Sequence, residues 1–262
     1  EAHIVINELT ANVRALKAEF ENNSEYAEDM FLNEAQAMDL VDLNTVLIVV
    51  DVNKPSYTEC PALLTKTKTI VILDHHRQSS ENIENAVLSY IEPYASSSCE
   101  MIAEILQYIT DGVRLRPTEA NAMYAGLLID TNNFINKTGV RTFEAAAYLR
   151  KYGADIIKVK KMFRDDIATY KVRAEAVTRA TIFDNLFAFA ECRPEGLESP
   201  TVVGAQVANE LMNITGIKAS FVFTKVKDTV YISARSFEEV NVQLVMEKFG
   251  GGGHSAIAGA QL

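Results

Sequence analysis

The sequence predicts an α/β protein in two parts: a parallel-sheet domain over residues 1–160 and a smaller mixed-sheet α/β domain over 185–262, joined by a helical linker over 161–184. Three observations lead there. Short apolar runs alternate with helix-spaced apolar positions through the first two thirds of the chain, a pattern that favours right-handed βαβ units. A charged, helix-compatible stretch follows from Lys160 to Ala180. After Asn185 the order of strand-like and helix-like segments changes, and the chain closes on a glycine run.

His3 to Asn7 reads as a strand, and Leu9, Val13, Leu16 and Phe20 line one face of the helix after it. Thr45–Val50 and Thr69–Leu73 are β-branched-rich runs of strand length with polar boundaries, as buried parallel strands have. Ser98 can start a helix whose stripe is Ile102, Ile105, Leu106 and Ile109. Pro117 suits the first turn of the next, where its missing N–H would be unpaired anyway. There Ala120, Met123, Tyr124, Leu127 and Leu128 keep helical spacing up to Asp130. Thr142 is the expected cap of a helix that runs to Tyr152 and stops at Gly153. In the second domain Leu186–Glu191 reads as a strand, and Ser199-Pro200 opens a helix to Met212. Ala219–Lys225 with Val230–Ser236 reads as a hairpin. Val242, Val245, Met246 and Phe249 mark a last helix that Gly250 ends. A mixed sheet with helices on one side is expected.

Asp74-His75-His76 follows directly on the Thr69–Leu73 run, so three ionisable side chains emerge where a predicted strand ends. In an open parallel sheet that edge is where ligands bind. Asp51 ends the Val46–Val50 run in the same way, because Pro55 cannot continue a central strand. Asp130 falls at a predicted helix C-terminus, where the backbone carbonyls disfavour an uncompensated carboxylate. A divalent cation removes that penalty. Carboxylate and imidazole donors without thiolate point to a hard or borderline ion such as Mn²⁺ rather than structural zinc.

The formal net charge of −10 argues against broad binding to long nucleic acid, which relies on many Lys and Arg contacts to phosphate. A small anion can still bind where a metal and a few basic groups reverse the local sign. Cys60, Cys99 and Cys192 form no C-x-x-C pair, which suits reduced thiols in a cytosolic setting. No apolar run approaches the roughly 18 residues that span a membrane.

With these residues in hand the chain resembles the DHH/DHHA1 phosphoesterase superfamily and, within it, the catalytic part of GdpP-type cyclic di-AMP phosphodiesterases. The resemblance rests on Val50-Asp51 through Lys54-Pro55, Ile72 to Arg77, Glu92 to Ser97, Ile129-Asp130-Thr131, Thr138 to Phe143, Ile232 to Ser236, Asn241-Val242-Gln243 and Gly250 to His254. It implies two divalent ions, Mn²⁺ being favoured, that activate water to open one 3′,5′ linkage of cyclic di-AMP and give linear pApA. Asp51 would bridge the metals, and His75 and Asp130 would bind one of them. His76 would contact the scissile phosphate and Asp74 would orient its neighbours. Arg235, Gly251, Gly252, Gly253 and His254 would hold the nucleotide portion of the substrate. Ser97 is either a further substrate contact or a helix cap. The glycine run by itself reads either as a flexible helix stop or as bare backbone that aims N–H groups at phosphate.

Departures from the family carry information too. Relatives have an earlier His-x-x-x-Asp-x-Asp motif that supplies metal ligands, and this sequence does not contain it. Residues 1–7 look like the second strand of the fold, so part of the ligand set is expected upstream, and a polypeptide that starts at Glu1 is expected to be severely impaired. Asn53 stands where relatives carry His in an Asp-Thr-His-Lys-Pro version of the second motif, which weakens a metal or phosphate role at that position. The resemblance further implies a homodimer, and a cytoplasmic catalytic part whose full-length parent is anchored by N-terminal transmembrane helices. Two other functions stay open at this stage. One is an oligoribonuclease or pAp phosphatase of the nano-RNase type, acting on short oligonucleotides. The other is a module that binds cyclic dinucleotide without turnover.

Overall fold

The computed structural model describes residues 2–7, 9, 11–78, 81–109, 114–194, 196–197, 199–237 and 239–262. It divides into two compact units, Glu1–Phe163 and Arg164–Leu262.

In the first unit β1 (Ile4–Val5) pairs in parallel with β2 (Phe31–Leu32), and α1 (Ala11–Glu21) connects them. After α2 (Glu34–Leu40), strands β3 (Val46–Val50), β4 (Thr69–Asp74) and β5 (Leu88–Ile91) form a three-stranded parallel sheet in that order. Val46 pairs with Thr69 and Val71 with Leu88. Alternation along the strands buries Val49, Ile70 and Ile72 against Leu64 and Ile83. The opposite face leaves Val46, Ile48, Val50 and Leu88 exposed, so these strands are not enclosed on both sides as the apolar runs suggest. Helices α3 (Ser98–Tyr108), α4 (Pro117–Asp130), α5 (Val140–Lys151) and α6 (Ile156–Met162) share a core of Ala103, Tyr124, Ala125, Leu149 and Val159.

Thr142 is not the cap residue of α5. Gly139 holds that position, and the Thr142 hydroxyl reaches back from the first turn to accept the Gly139 N–H at 3.0 Å. Thr142 in turn donates to Glu100 at 2.7 Å. Glu100 is buried, also accepts from Ser96 at 2.5 Å, and has Arg141 within 3.9 Å. Arg141 itself makes a two-pronged bond to Glu104, with both contacts at 2.7 Å. This network ties the start of α5 to α3 and to the turn that precedes it.

The expected linker resolves into parts of both units. Residues up to Phe163 finish the first, whereas α7 (Ile167–Thr178) and a strand, β6 (Thr181–Phe183), belong to the second. The reason is packing: Ala176 is buried in one core with Val203, Val207 and Leu211, and Val172 and Val177 pack against it. The second unit continues with β7 (Phe187–Cys192), α8 (Pro200–Leu211), β8 (Ala219–Val226), β9 (Thr229–Ser236), α9 (Val242–Glu247), β10 (Gly252–Gly253) and β11 (Ile257–Gln261). Its sheet runs β10-β11-β9-β8-β7-β6, mixed because β7 and β8 are parallel. The β8–β9 hairpin turns at Lys227-Asp228, with Lys227 at φ +56°. Helices cover both faces, not one. Ala188, Ala190 and Val222 face α7 and α8, while Phe221, Ile232 and Ala234 face Val242 and Met246 of α9. Period-two alternation requires this, because β8 carries apolar residues at successive positions Phe221-Val222-Phe223.

Candidate metal and phosphate site

The site of the first unit is built from the ends of β3, β4 and α4. The Asp51 N–H donates to Leu73 O at 3.0 Å, which extends the ladder one residue past β3. Asp51 then turns with φ +65°, a left-handed conformation that costs a non-glycine residue about 1 kcal/mol or more. A run of positive φ at Asn132, Asn133 and Phe134 begins two residues after Asp130, beyond the helical Thr131. Backbone strain therefore lies beside both carboxylates.

His75 is buried at the mouth of β4, and its Nδ1 lies 3.3 Å from Ala95 O. A carbonyl can only accept, so this bond puts the ring proton on Nδ1 and leaves a lone pair on Nε2. Nε2 lies 3.3 Å from Asp51 Oδ1 and 3.9 Å from Asp130 Oδ2. The shorter contact has ion-pair distance without hydrogen-bond geometry, and Nε2 remains a buried nitrogen with no hydrogen-bond partner among the described residues. Asp51 Oδ1 accepts instead from Ser98 Oγ at 2.8 Å. Donor atoms of Asp51, His75 and His76 all lie within 4.8 Å of one another. His76, assigned to phosphate by sequence, thus stands within ligand distance as well.

Burial pushes the Asp130 carboxyl up to about 6, and the neighbouring Asp51 charge adds to this. Burial also acts to raise Asp51, but the contacts with His75 and Ser98 outweigh it and hold Asp51 below the usual carboxylate range. Two acids driven apart in this way, around an unpartnered imidazole nitrogen, fit a divalent cation. Burial pushes the adjacent Cys99 thiol up to about 12, which keeps thiolate out of the ligand set.

Asp74 is fully buried and accepts from the His76 N–H at 3.1 Å, His76 Nδ1 at 2.8 Å and Asn53 Nδ2 at 2.6 Å. These bonds overcome the effect of burial and hold its carboxyl below the ordinary value. The bond to Asp74 in turn raises the His76 imidazole, against burial and with help from Asp51 and Asp130. The remaining candidate of this unit, Ser97, is fully buried and caps α3 by accepting the Glu100 N–H at 3.0 Å. Of its two readings the structure displays the cap, and the hydroxyl that reaches Asp51 is that of Ser98. Residue type could not single out Ser98 within Ser96-Ser97-Ser98, and nothing local marked Asn53 as the partner of Asp74.

In the second unit Arg235 packs on α8, donating to Asn209 Oδ1 at 2.7 Å and to Ala234 O at 2.9 Å. Burial lowers its guanidinium to about 10, and no carboxylate pairs with it among the described residues. The glycine run is less open than its sequence suggests. Gly252 and Gly253 form β10 against Gly259 and Ala258. A Cβ on Gly251 would strike Gly259 O and Ala260, and one on Gly253 would strike Ile257 O. Strand pairing therefore requires two of the glycines, Gly250 stops α9 at φ +74°, and Gly252 alone of the four has open space around its Cβ position without a positive φ. His254 closes the turn, its N–H bonded to Ile257 O at 2.6 Å. A cavity of about 340 Å³ is lined by Thr201, Tyr231, Ser233, Gly250, Gly251 and Gln261.

Comparison with known proteins identifies the family of the chain. The family description "DHH family, N-terminal domain" matches residues 5–127, and "DHHA1 domain" matches residues 195–262. The chain is 45% identical over 228 residues to the cyclic-di-AMP phosphodiesterase GdpP of Geobacillus thermodenitrificans, covering 87% of this chain and 34% of that protein. It is 39% identical over 264 residues to the cyclic-di-AMP phosphodiesterase PdeA of Listeria monocytogenes, covering 100% of this chain and 40% of the relative. The chain thus spans well under half the length of these curated relatives. Its fold is shared with an exopolyphosphatase-related protein from Bacteroides fragilis at a TM-score of 0.75 and 15% identity, over 95% of this chain and 82% of the other. Among the described residues no helix is long and apolar enough to cross a membrane.

Proposed function

We propose, for a chain that belongs to the DHH/DHHA1 superfamily, the hydrolysis of one phosphodiester linkage of cyclic di-AMP to linear pApA at a centre of two divalent ions, with Mn²⁺ favoured. The observation that carries this reading is the His75 Nε2 atom, buried, without a hydrogen-bond partner among the described residues, and facing Asp51 and Asp130 at 3.3 and 3.9 Å. The names of the GdpP and PdeA relatives supply the substrate.

Asp51, His75 and Asp130 would hold metal. Divalent ions at such a centre act as Lewis acids on phosphate oxygens and make water a nucleophile at neutral pH. The chain's own residues do the rest. Ala95 O keeps the His75 proton on Nδ1, so that Nε2 is free to donate its lone pair. Asp74 holds Nδ1 of His76, which leaves the half-exposed His76 ring to offer Nε2–H to a phosphate oxygen. In the second unit Arg235, a desolvated cation without a carboxylate partner, would bind a phosphate of the nucleotide, and the open backbone at Gly252 would add N–H contacts. A net charge of −10 supports a small ligand over long nucleic acid. A homodimer belongs to the same reading.

The test is incubation of the intact protein with cyclic di-AMP, pApA and pAp in Mn²⁺ or EDTA, with products separated by chromatography. Metal-dependent conversion of cyclic di-AMP to pApA is expected. Preferred hydrolysis of pApA or pAp would replace the substrate, and saturable binding without product would reduce the protein to a sensor.

A further inference from the structure

Asn53 is buried between the ends of β3 and β4 at 3% exposure. Its Nδ2 donates to Asp74 Oδ2 at 2.6 Å and lies 3.4 Å from His76 O. The other half of the amide has no comparable place, because Asn53 Oδ1 is buried without a hydrogen-bond partner among the described residues. An unsatisfied buried carbonyl is destabilising, and a residue without it would avoid that cost. Reversing the amide gives no relief, since Oδ1 would then face a carboxylate. What remains to account for an amide at this position is the Nδ2 donor, which serves Asp74 Oδ2 and, at longer range, His76 O.

The nearer of the two acceptors is a carboxylate with demanding surroundings. Asp74 is fully buried, and its Oδ1 takes both contacts from His76, the backbone N–H at 3.1 Å and Nδ1 at 2.8 Å. Oδ2 takes the Asn53 amide. A carboxylate held only through Oδ1 could swing about its Cβ–Cγ bond, which in Asp is a broad, soft torsion. Bonds at both oxygens fix the plane of the group, and with it the direction in which Asp74 presents Oδ1 to the His76 ring.

We propose that Asn53 is a positioning residue, which locks the Asp74 carboxylate so that Asp74 aims the His76 imidazole. The proposal rests on the phosphodiesterase reading for its consequence in turnover and on the structure alone for its consequence at the imidazole. Donation and packing predict opposite tolerances. Leu has the branched skeleton of Asn without the donor, so a packing role accepts Asn53→Leu and rejects the larger His. A donor role rejects Leu and accepts His, whose ring N–H can reach a carboxylate.

The experiment compares the intact protein with its Asn53→Leu, Asn53→His and Asn53→Ala forms. The first readout is the Nδ1–H resonance of His76 in histidine labelled with nitrogen-15, assigned by its disappearance in His76→Phe. The second is kcat and KM for cyclic di-AMP in Mn²⁺, with thermal unfolding as a check on folding. Asn53→Leu is expected to lose the resonance and to lower kcat by about 10- to 100-fold, the range for outer partners of a metal site, with KM nearly unchanged. Asn53→His is expected to keep both. If Asn53→Leu does not fold, Asn53→Ala carries the comparison. A resonance retained in the Leu or Ala form overturns the proposal, whatever happens to turnover. Loss of the resonance in Asn53→His overturns it too. A wild-type protein that shows the resonance but cleaves no cyclic di-AMP refutes the substrate reading instead, and the resonance in the variants still decides the role of Asn53.

Discussion

Asp51 and His75, 24 positions apart in the chain, meet at 3.3 Å because the parallel register of β3 and β4 sets Val50 opposite Leu73 and ends both strands at one edge. Each side chain arrives with its other bond already made, Asp51 to Ser98 and His75 to Ala95. On the proposed reading, a divalent cation would satisfy the carboxylate and the nitrogen lone pair together.

Asp51→Asn and His75→Ala should therefore each abolish Mn²⁺ binding in calorimetry and lower turnover by more than roughly 100-fold, beyond the loss typical of outer-shell partners. Full activity in Asp51→Asn would remove the metal assignment.

Asp130 links stability to pH. Its carboxyl at about 6 lies above the usual carboxylate value near 3.8, so the folded metal-free protein binds a proton that the unfolded chain releases. Metal-free stability is fully present below the lower value and declines as pH rises through about 6, by up to about 3 kcal/mol. Thermal midpoints in EDTA from pH 4 to 7 should fall more steeply in the wild type than in Asp130→Asn, the difference between the two profiles being the Asp130 contribution. The same substitution should weaken metal binding.

Arg235→Met should change the thermal midpoint little, because it removes a partly buried charge with no carboxylate partner among the described residues but also breaks the bonds to Asn209 and Ala234 O. KM for cyclic di-AMP should rise by about tenfold or more, the equivalent of one charge-assisted hydrogen bond at about 1.5–3 kcal/mol. An unaltered KM would detach Arg235 from the substrate.

Thr142→Val breaks two bonds at once, the one it accepts from Gly139 and the one it donates to buried Glu100. Urea unfolding should show a loss of about 1–3 kcal/mol with an unchanged slope.

The glycines separate by position. Gly251→Ala forces a Cβ into Gly259 and Ala260 of β11 and should cost about 1–3 kcal/mol, as overpacking does. Gly252→Ala meets nothing within 4 Å and should leave the melt unchanged. Any loss of substrate affinity in Gly252→Ala would then report the ligand rather than the fold.

Much of this molecule is legible in one dimension, because the relevant signals are local. The runs before Asp51 and Asp74, the helical spacing before Asp130 and the i, i+3, i+4, i+7 stripe of α9 each depend on a few consecutive residues. Since parallel strands end at a common edge and a helix stops at Asp130, residue order could nominate Asp51, Asp74-His75-His76 and Asp130, while the family resemblance singled out His75 as a ligand. The two-residue strand β2, the half-exposed β5 and the strand β6 inside a helical-looking tract have no such pattern, and they form only because a neighbouring strand supplies hydrogen bonds. Partnership was decided in three dimensions as well. Three adjacent serines offer the same hydroxyl, and the first turn of α3 alone determines that Ser97 caps the helix while Ser98 reaches Asp51. Asn53 acquires its meaning only when β3 and β4 bring it against Asp74. A sequence lists donors and acceptors, but which of them meet depends on directions that packing alone sets.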